Sequence, residues 1–245
     1  MRASSPRIHF IVICVSILCV TNGPSVAQTR RSPAGGPVAV VVDERLAALR
    51  QTPELSGKLI QRLSRGRLVT IRRAVRARDG INFYYVRVTR RRGGWLQREA
   101  VVSASRAGED QRLYRLLQAS DGFDLIWRGR IFLDMFPRSP LRPAVLKIFA
   151  SAADAAADKL SREANRRLNE KEMMASGGLE ISYFLNYSGL DRYNRQGIRF
   201  VFDQRQKRLN YDGAAWREIM RRYPKATEAE EAHRHLTARG SARIQ

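Results

Sequence analysis

"YYVRVTRRRGGWLQREAV", residues Tyr84 to Val101, joins an alternating aromatic and aliphatic run to three arginines, two glycines and a tryptophan. The alternation from Phe83 to Val88 predicts a half-buried strand, and "GWLQ" and "AVV" supply two further short strands. Arg90, Arg91 and Arg92 then fall at a hairpin tip whose geometry Gly93 and Gly94 serve. Working outward, "VAVVV" (Val38 to Val42) is β-branched, and "LVTI" (Leu68 to Ile71) follows a Gly66 turn. Short strands separated by turns at this spacing predict a small β-barrel over residues 38–104.

The same stretch is strongly basic. Residues 38 to 103 hold 15 basic and 5 acidic side chains. "RRAVRARDGIN" (Arg72 to Asn82) is expected as a long loop carrying Arg72, Arg73, Arg76 and Arg78, to be grouped with Arg90, Arg91 and Arg92 at one end of the barrel. These seven arginines, with Tyr84 and Trp95, form the candidate ligand-binding set, an anionic-ligand face. The competing reading makes the arginines a solvated surface and the aromatic residues Tyr84, Tyr85 and Trp95 part of the core.

Leu49, Arg50, Pro53, Ile60, Gly66, Val69, Tyr84, Tyr85, Val86, Gly94 and Trp95 stand in the order and spacing of a leucine and arginine start, a proline turn, a valine-rich strand, an aromatic pair and a Gly-Trp close. Over Val38 to Ser103 the chain therefore resembles the bacterial SH3-like (SH3b) domain. The long basic stretch at Arg72 to Asn82 and the Ala47-Ala48 pair depart from that family's pattern. The resemblance implies a barrel that engages cell-wall material or a peptide.

The first residues read as an export signal. Arg2 and Arg7 precede an apolar run from Phe10 to Val20, and Ser25-Val26-Ala27 offers small residues for cleavage, so residues 1–27 are expected as a signal peptide and 28–37 as a linker. The run is too short for a bilayer-crossing helix, which takes about 20 apolar residues, so no transmembrane span is expected in the mature chain. Exported, the protein is placed in the periplasm or outside the cell, within the bacterial envelope. Both cysteines, Cys14 and Cys19, lie in the signal, which leaves no mature thiol for disulfides, thiol catalysis or cysteine metal sites. His233 and His235 point apart on a helix, so no metal site and no cofactor is predicted.

The net charge is +22, and +20 without Arg2 and Arg7. That favours an anionic partner, although only six of the 45 basic residues are lysines, a bias that codon usage produces unaided.

Beyond "SRAGED" (Ser105 to Asp110) the apolar spacing becomes helical, and residues 109–238 are read as a helical domain followed by a tail at 239–245. Helices are predicted over "DQRLYRLLQ", over "DGFDLIWRGRIFLDMF", and from Leu141 to about Met174, where Gly177-Gly178 stops the third. Its predicted packing stripe includes Val145, Phe149, Ala152, Ala155, Ala156 and Leu160.

"FLDMFPRSPLRPAVLKIF" (Phe132 to Phe149) aligns without gaps on "IMRRYPKATEAEEAHRHL" (Ile219 to Leu236). Each copy ends a helix at an aromatic-proline pair and caps the next, through Ser139 in one and a Thr227/Glu230 capping box in the other. These two partial units resemble tetratricopeptide-like repeats, which implies a surface that docks a protein. Between them an aromatic insert, residues 179–212, is expected to contain a hairpin of "IRFVF" with "RLNY". Tyr183, Tyr187 and Tyr193 form a second candidate surface, weighed against a role as an aromatic plug of the helical layer.

The fold class expected is multidomain, β + α: a small SH3-like barrel followed by an α-helical tetratricopeptide-like domain. No catalytic residue is assigned, and the chain is read as a non-catalytic envelope adaptor with peptidoglycan or an envelope protein as partner. The oligomeric state is left open. Sequence-independent binding of a polyanion (nucleic acid, anionic polymer or lipid) is the alternative. A peptidoglycan-cleaving enzyme using Glu180, which precedes the aromatic cluster, is the second.

Overall fold

In the computed structural model, residues 36–167, 184 and 188–244 are described. The expected signal peptide, most of the linker, the end of the third predicted helix with its Gly177-Gly178 stop, and Glu180, Tyr183 and Tyr187 lie outside them. The strands are β1 (Val38–Val41), β2 (Ala48–Arg50), β3 (Leu59–Arg62), β4 (Leu68–Arg76), β5 (Asn82–Arg87), β6 (Gly93–Gln97) and β7 (Val101–Val102). They pair antiparallel in the order β3-β2-β6-β5-β4-β1-β7 as a curled, seven-stranded half-barrel sheet.

The sequence of β1 explains how this sheet is placed. Ala39 and Val41 point into the concave core with Leu49, Val69, Tyr84, Val86, Leu96 and Val101. Val40 and Val42 point the other way, into a second cluster with Val102, Leu113, Trp127, Phe132 and Val145. A strand buried on both faces reads as an unbroken apolar run, which is why "VAVVV" shows no alternation.

The helical layer begins with α1 (Glu109–Gln118) and α2 (Gly122–Met135). Leu113 and Leu117 of α1, four residues apart, meet Trp127 and Ile131 of α2 beneath the sheet. Ile126 of α2 faces the opposite side, into the helical core. Helix α3 (Arg142–Arg167) lines that core with Leu146, Phe149, Ala150, Ala153, Ala156, Leu160 and Ala164. Ala155, expected in the stripe, is exposed, because the packing face turns through Ala153 and Ala157 instead.

A short helix α4 (Asp191–Asn194), a hairpin of β8 (Phe200–Asp203) and β9 (Arg208–Tyr211), and helices α5 (Ala214–Arg222) and α6 (Glu228–Ile244) complete the described chain. Helix α6 runs on into the residues read as a tail. The predicted hairpin forms, and Phe184, Tyr193, Leu209, Tyr211 and Trp216 enter the helical core, so these four aromatic rings are interior packing.

The internal repeat is visible in the backbone. Phe136 and Tyr223, at aligned positions, end α2 and α5 with φ, ψ of −122°, 58° and −132°, 48°. Their N–H groups donate to Phe132 and Ile219 carbonyls at 2.9 and 2.8 Å. The next two turn bonds match as well: Ser139 to Phe136 and Arg142 to Ser139 in one copy, Ala226 to Tyr223 and Ala229 to Ala226 in the other. The caps differ. Ser139 Oγ accepts from the Leu141 N–H at 3.2 Å, as predicted. Thr227 Oγ1 instead donates to Glu228 Oε2 at 3.2 Å, a neighbour one residue on, and no bond to Glu230 is found among the described residues.

Candidate functional site: an aromatic and arginine face on the half-barrel

The register of three strand pairs places one row of side chains across the sheet. Arg73 of β4 lies opposite Tyr85 of β5, Tyr85 opposite Trp95 of β6, and Trp95 opposite Arg50 of β2. Directly opposed residues share a face. Their strand neighbours Tyr84, Val86, Leu96 and Leu49 fill the concave core, so the row lies on the outer face.

Tyr85 and Trp95 are half-buried and meet edge to face, with ring centroids 5.4 Å apart and planes at 72°. Such a pair adds about 1 kcal/mol beyond area burial and holds both rings in fixed orientation. Gly93 makes room for it: a Cβ there would stand 3.1 Å from the Tyr85 hydroxyl and 2.9 Å from the Val86 carbonyl. Arg50 is anchored through Nη1 to the Gly57 carbonyl at 2.8 Å. Beyond Arg50 the register continues to Leu59 on edge strand β3, an apolar residue that is 45% exposed.

Rigid aromatic rings flanked by guanidiniums on a partly exposed sheet can stack on the apolar faces of a sugar or peptide. The same row can bind accompanying carboxylates or phosphates.

The seven candidate arginines are distributed differently from the sequence reading. Arg72, Arg73 and Arg76 belong to strand β4, and only residues 77–81 form the turn that holds Arg78. The strand escaped the sequence reading because the register shifts between Ile71 and Arg73, breaking the alternation, and because Arg72, Arg73, Ala74 and Arg76 are all exposed. Arg90, Arg91 and Arg92 do occupy a turn, between β5 and β6. It lies at the Arg87 end of β5 and the Arg78 turn at the Asn82 end, about 17 Å apart at the usual rise per residue. The expected single patch of loop arginines is therefore two clusters, with Arg73 on the face between them. Arg92 is turned toward the β3 side, where Nη1 donates to Gln61 Oε1 at 2.7 Å.

Of the aromatic candidates, Trp95 is on the outer row. Tyr84 is on the concave side and 3% exposed. Tyr193 is 2% exposed, packed edge-on to Phe123 and Phe200 at 5.2 and 5.5 Å. It is a core residue of the helical layer, so the second candidate surface loses it. His235 stacks on Trp216 at 4.4 Å, with Nδ1 3.8 Å from Asp154 Oδ2, while Trp216 Nε1 donates to the same oxygen at 2.9 Å.

Sequence reasoning passed over Tyr85 and Arg50 as ligand residues. The signal was present in the predicted alternation, which sets Tyr85 and Tyr84 on opposite faces, but pairing Tyr85 with Trp95 required the hairpin register. Among the described residues no helix is long and apolar enough to cross a membrane. Comparison with family models, curated proteins and solved structures finds no match to this chain.

Proposed function

We propose that this chain is a non-catalytic, exported adaptor of the bacterial envelope, in which an SH3-like barrel binds cell-wall material or a peptide and a tetratricopeptide-like helical layer docks a protein. The observation that carries the reading is the Arg73–Tyr85–Trp95–Arg50 row: two oriented aromatic rings between two guanidiniums on an accessible sheet face. The matching turns at Phe136 and Tyr223 support the helical half of the reading.

The alternative, sequence-independent binding of a polyanion, draws on the exposed arginine clusters at both ends of β5. Salt separates the two. Phosphate-driven affinity falls steeply between low and physiological ionic strength, whereas stacking on the aromatic row depends on salt far less. Co-sedimentation of the full chain with purified peptidoglycan is expected to persist at both salts. Loss of retention at physiological salt would favour the polyanion reading.

A further inference from the structure

The concave side of the sheet carries a second feature, independent of the outer row. Where the sheet rim meets the start of the helical layer there is a cleft of about 160 Å³, whose polar lining is Arg76, Asn82, Tyr84, Arg98 and Arg106. That volume is below the range of about 300–1,000 Å³ typical of whole-ligand pockets. It is the size of a single functional group with its immediate neighbours.

Its lining comes from three separated parts of the chain: the β4–β5 hairpin, the 3-10 turn Arg98–Ala100, and the connection from β7 to α1. Arg106 spans the cleft, its Cζ 4.6 Å from the Tyr84 ring centroid and its Nη1 donating to the Tyr84 hydroxyl oxygen. With that oxygen serving as acceptor, the hydroxyl proton is free to be donated to a ligand. Burial raises the Tyr84 pKa, against the opposing pull of Arg106 and Arg98, which keeps that proton in place at neutral pH.

Charge balance at the cleft is incomplete. Glu109, buried nearby, is engaged by Arg112 Nη2 at 2.8 Å and stands 3.9 Å from Arg98. Among the described residues neither Arg76 nor Arg106 has a carboxylate partner. Three guanidiniums, a carboxamide and a phenol thus line one small opening, where an oxyanion would meet charge-assisted donors.

We propose that this cleft binds one terminal oxyanion, a carboxylate or phosphate group, as a site separate from the Tyr85–Trp95 face. Tyr84 and Tyr85 point to opposite faces of β5, so one ligand group cannot occupy both sites.

The test is calorimetric titration of the full chain with inorganic phosphate and with acetate, at constant ionic strength held by chloride. Wild type, Arg106→Gln, Arg76→Gln, Arg90→Gln and Trp95→Ala are compared. The expected result is saturable 1:1 binding of at least one anion, weakened about tenfold in Arg106→Gln and clearly in Arg76→Gln. It should be unchanged in Arg90→Gln, at the far end of β5, and in Trp95→Ala. The preferred anion identifies the group as carboxylate or phosphate. Should Arg106→Gln fail to fold, the exposed Arg76→Gln carries the comparison. Absence of saturable binding, or equal weakening by Arg76→Gln and Arg90→Gln, overturns the proposal and leaves only a diffuse positive field. Failure of the outer face is read from retention on peptidoglycan and failure of this cleft from these titrations, so the two are distinguished.

Discussion

Arg142 of α3 reaches across the helical layer to Glu218 of α5, its Nη2 2.8 Å and its Nε 3.2 Å from the same carboxylate oxygen. The guanidinium is buried and also donates through Nη1 to the Leu133 carbonyl at 2.6 Å. One side chain thus ties the end of α2 and the start of α3 to the second helical pair. Arg142 aligns with Ala229 in the other copy of the repeat, so the ion pair is a feature that only one copy carries.

Replacing Arg142 by alanine takes the side-chain donor from the Leu133 carbonyl and leaves Glu218 with Arg222 at 3.3 Å. The expected cost is about 2 kcal/mol in chemical denaturation, since charge-assisted bonds to Glu218 and the bond to the Leu133 carbonyl are lost together while Arg222 still faces the carboxylate. The double variant Arg142→Met with Glu218→Met should recover part of that loss, because the desolvation cost of both ions disappears together while the Leu133 carbonyl stays without its donor.

Gly66, in the turn before β4, has φ of +72°, and a Cβ there would stand 2.9 Å from Trp127 Cζ2 of α2. Left-handed backbone and a rigid indole both oppose a side chain at this position. Gly66→Ala is expected to lower stability by about 1–3 kcal/mol, with Trp127 fluorescence reporting the displaced ring.

Ser161 of α3 holds the hairpin against the helical layer. Its buried hydroxyl donates to the Ala157 carbonyl and accepts from the Leu209 N–H, each at 2.7 Å. Ser161→Ala leaves the Leu209 amide without that acceptor, and the expected loss is about 1–3 kcal/mol. Amide exchange at Leu209 should accelerate well beyond that at Ile219, which lies outside the bond.

Burial pushes the Tyr211 hydroxyl far above the usual tyrosine range, against the opposing effect of the Ala215 N–H that it accepts at 2.8 Å. Tyr84 is shifted in the same direction. Unfolded tyrosines ionise near pH 10, whereas both of these hold their protons to higher pH, so above about pH 10 the unfolded state binds fewer protons and stability falls as pH rises. Their contribution is fully present below about pH 10 and is lost progressively above it. Denaturation midpoints measured between about pH 9 and pH 11 should decline, and Tyr211→Phe should flatten the decline.

Much of the fold was legible in the sequence because its patterns are local. "VAVVV", "LVTI" and "FYYVRV" announced strands, and the shared aromatic-proline turns at Phe136 and Tyr223 announced the repeat. What escaped depends on pairing or convergence. Arg72 to Arg76 read as a loop because exposed arginines on an extended hairpin arm carry no apolar period. Arg98 and Arg106 are single arginines in a chain rich in them, and only the approach of the β7–α1 connection to Tyr84 singles them out. Tyr193 offered the same composition for a surface or a core, and its packing against Phe123, a residue of α2, decided the matter.

The central claim is that the outer row recognises wall material, and Trp95 tests it most directly. Its indole is partly exposed and edge-on to Tyr85, so Trp95→Ala removes stacking area while leaving Leu96 and the concave core in place. The measurement is co-sedimentation of the full-length wild type and Trp95→Ala with purified peptidoglycan at physiological salt, with circular dichroism to verify the fold. The account predicts retention of the wild type and a loss of about tenfold in affinity for the variant, as expected for a central aromatic contact. Equal retention of a folded Trp95→Ala variant would contradict it.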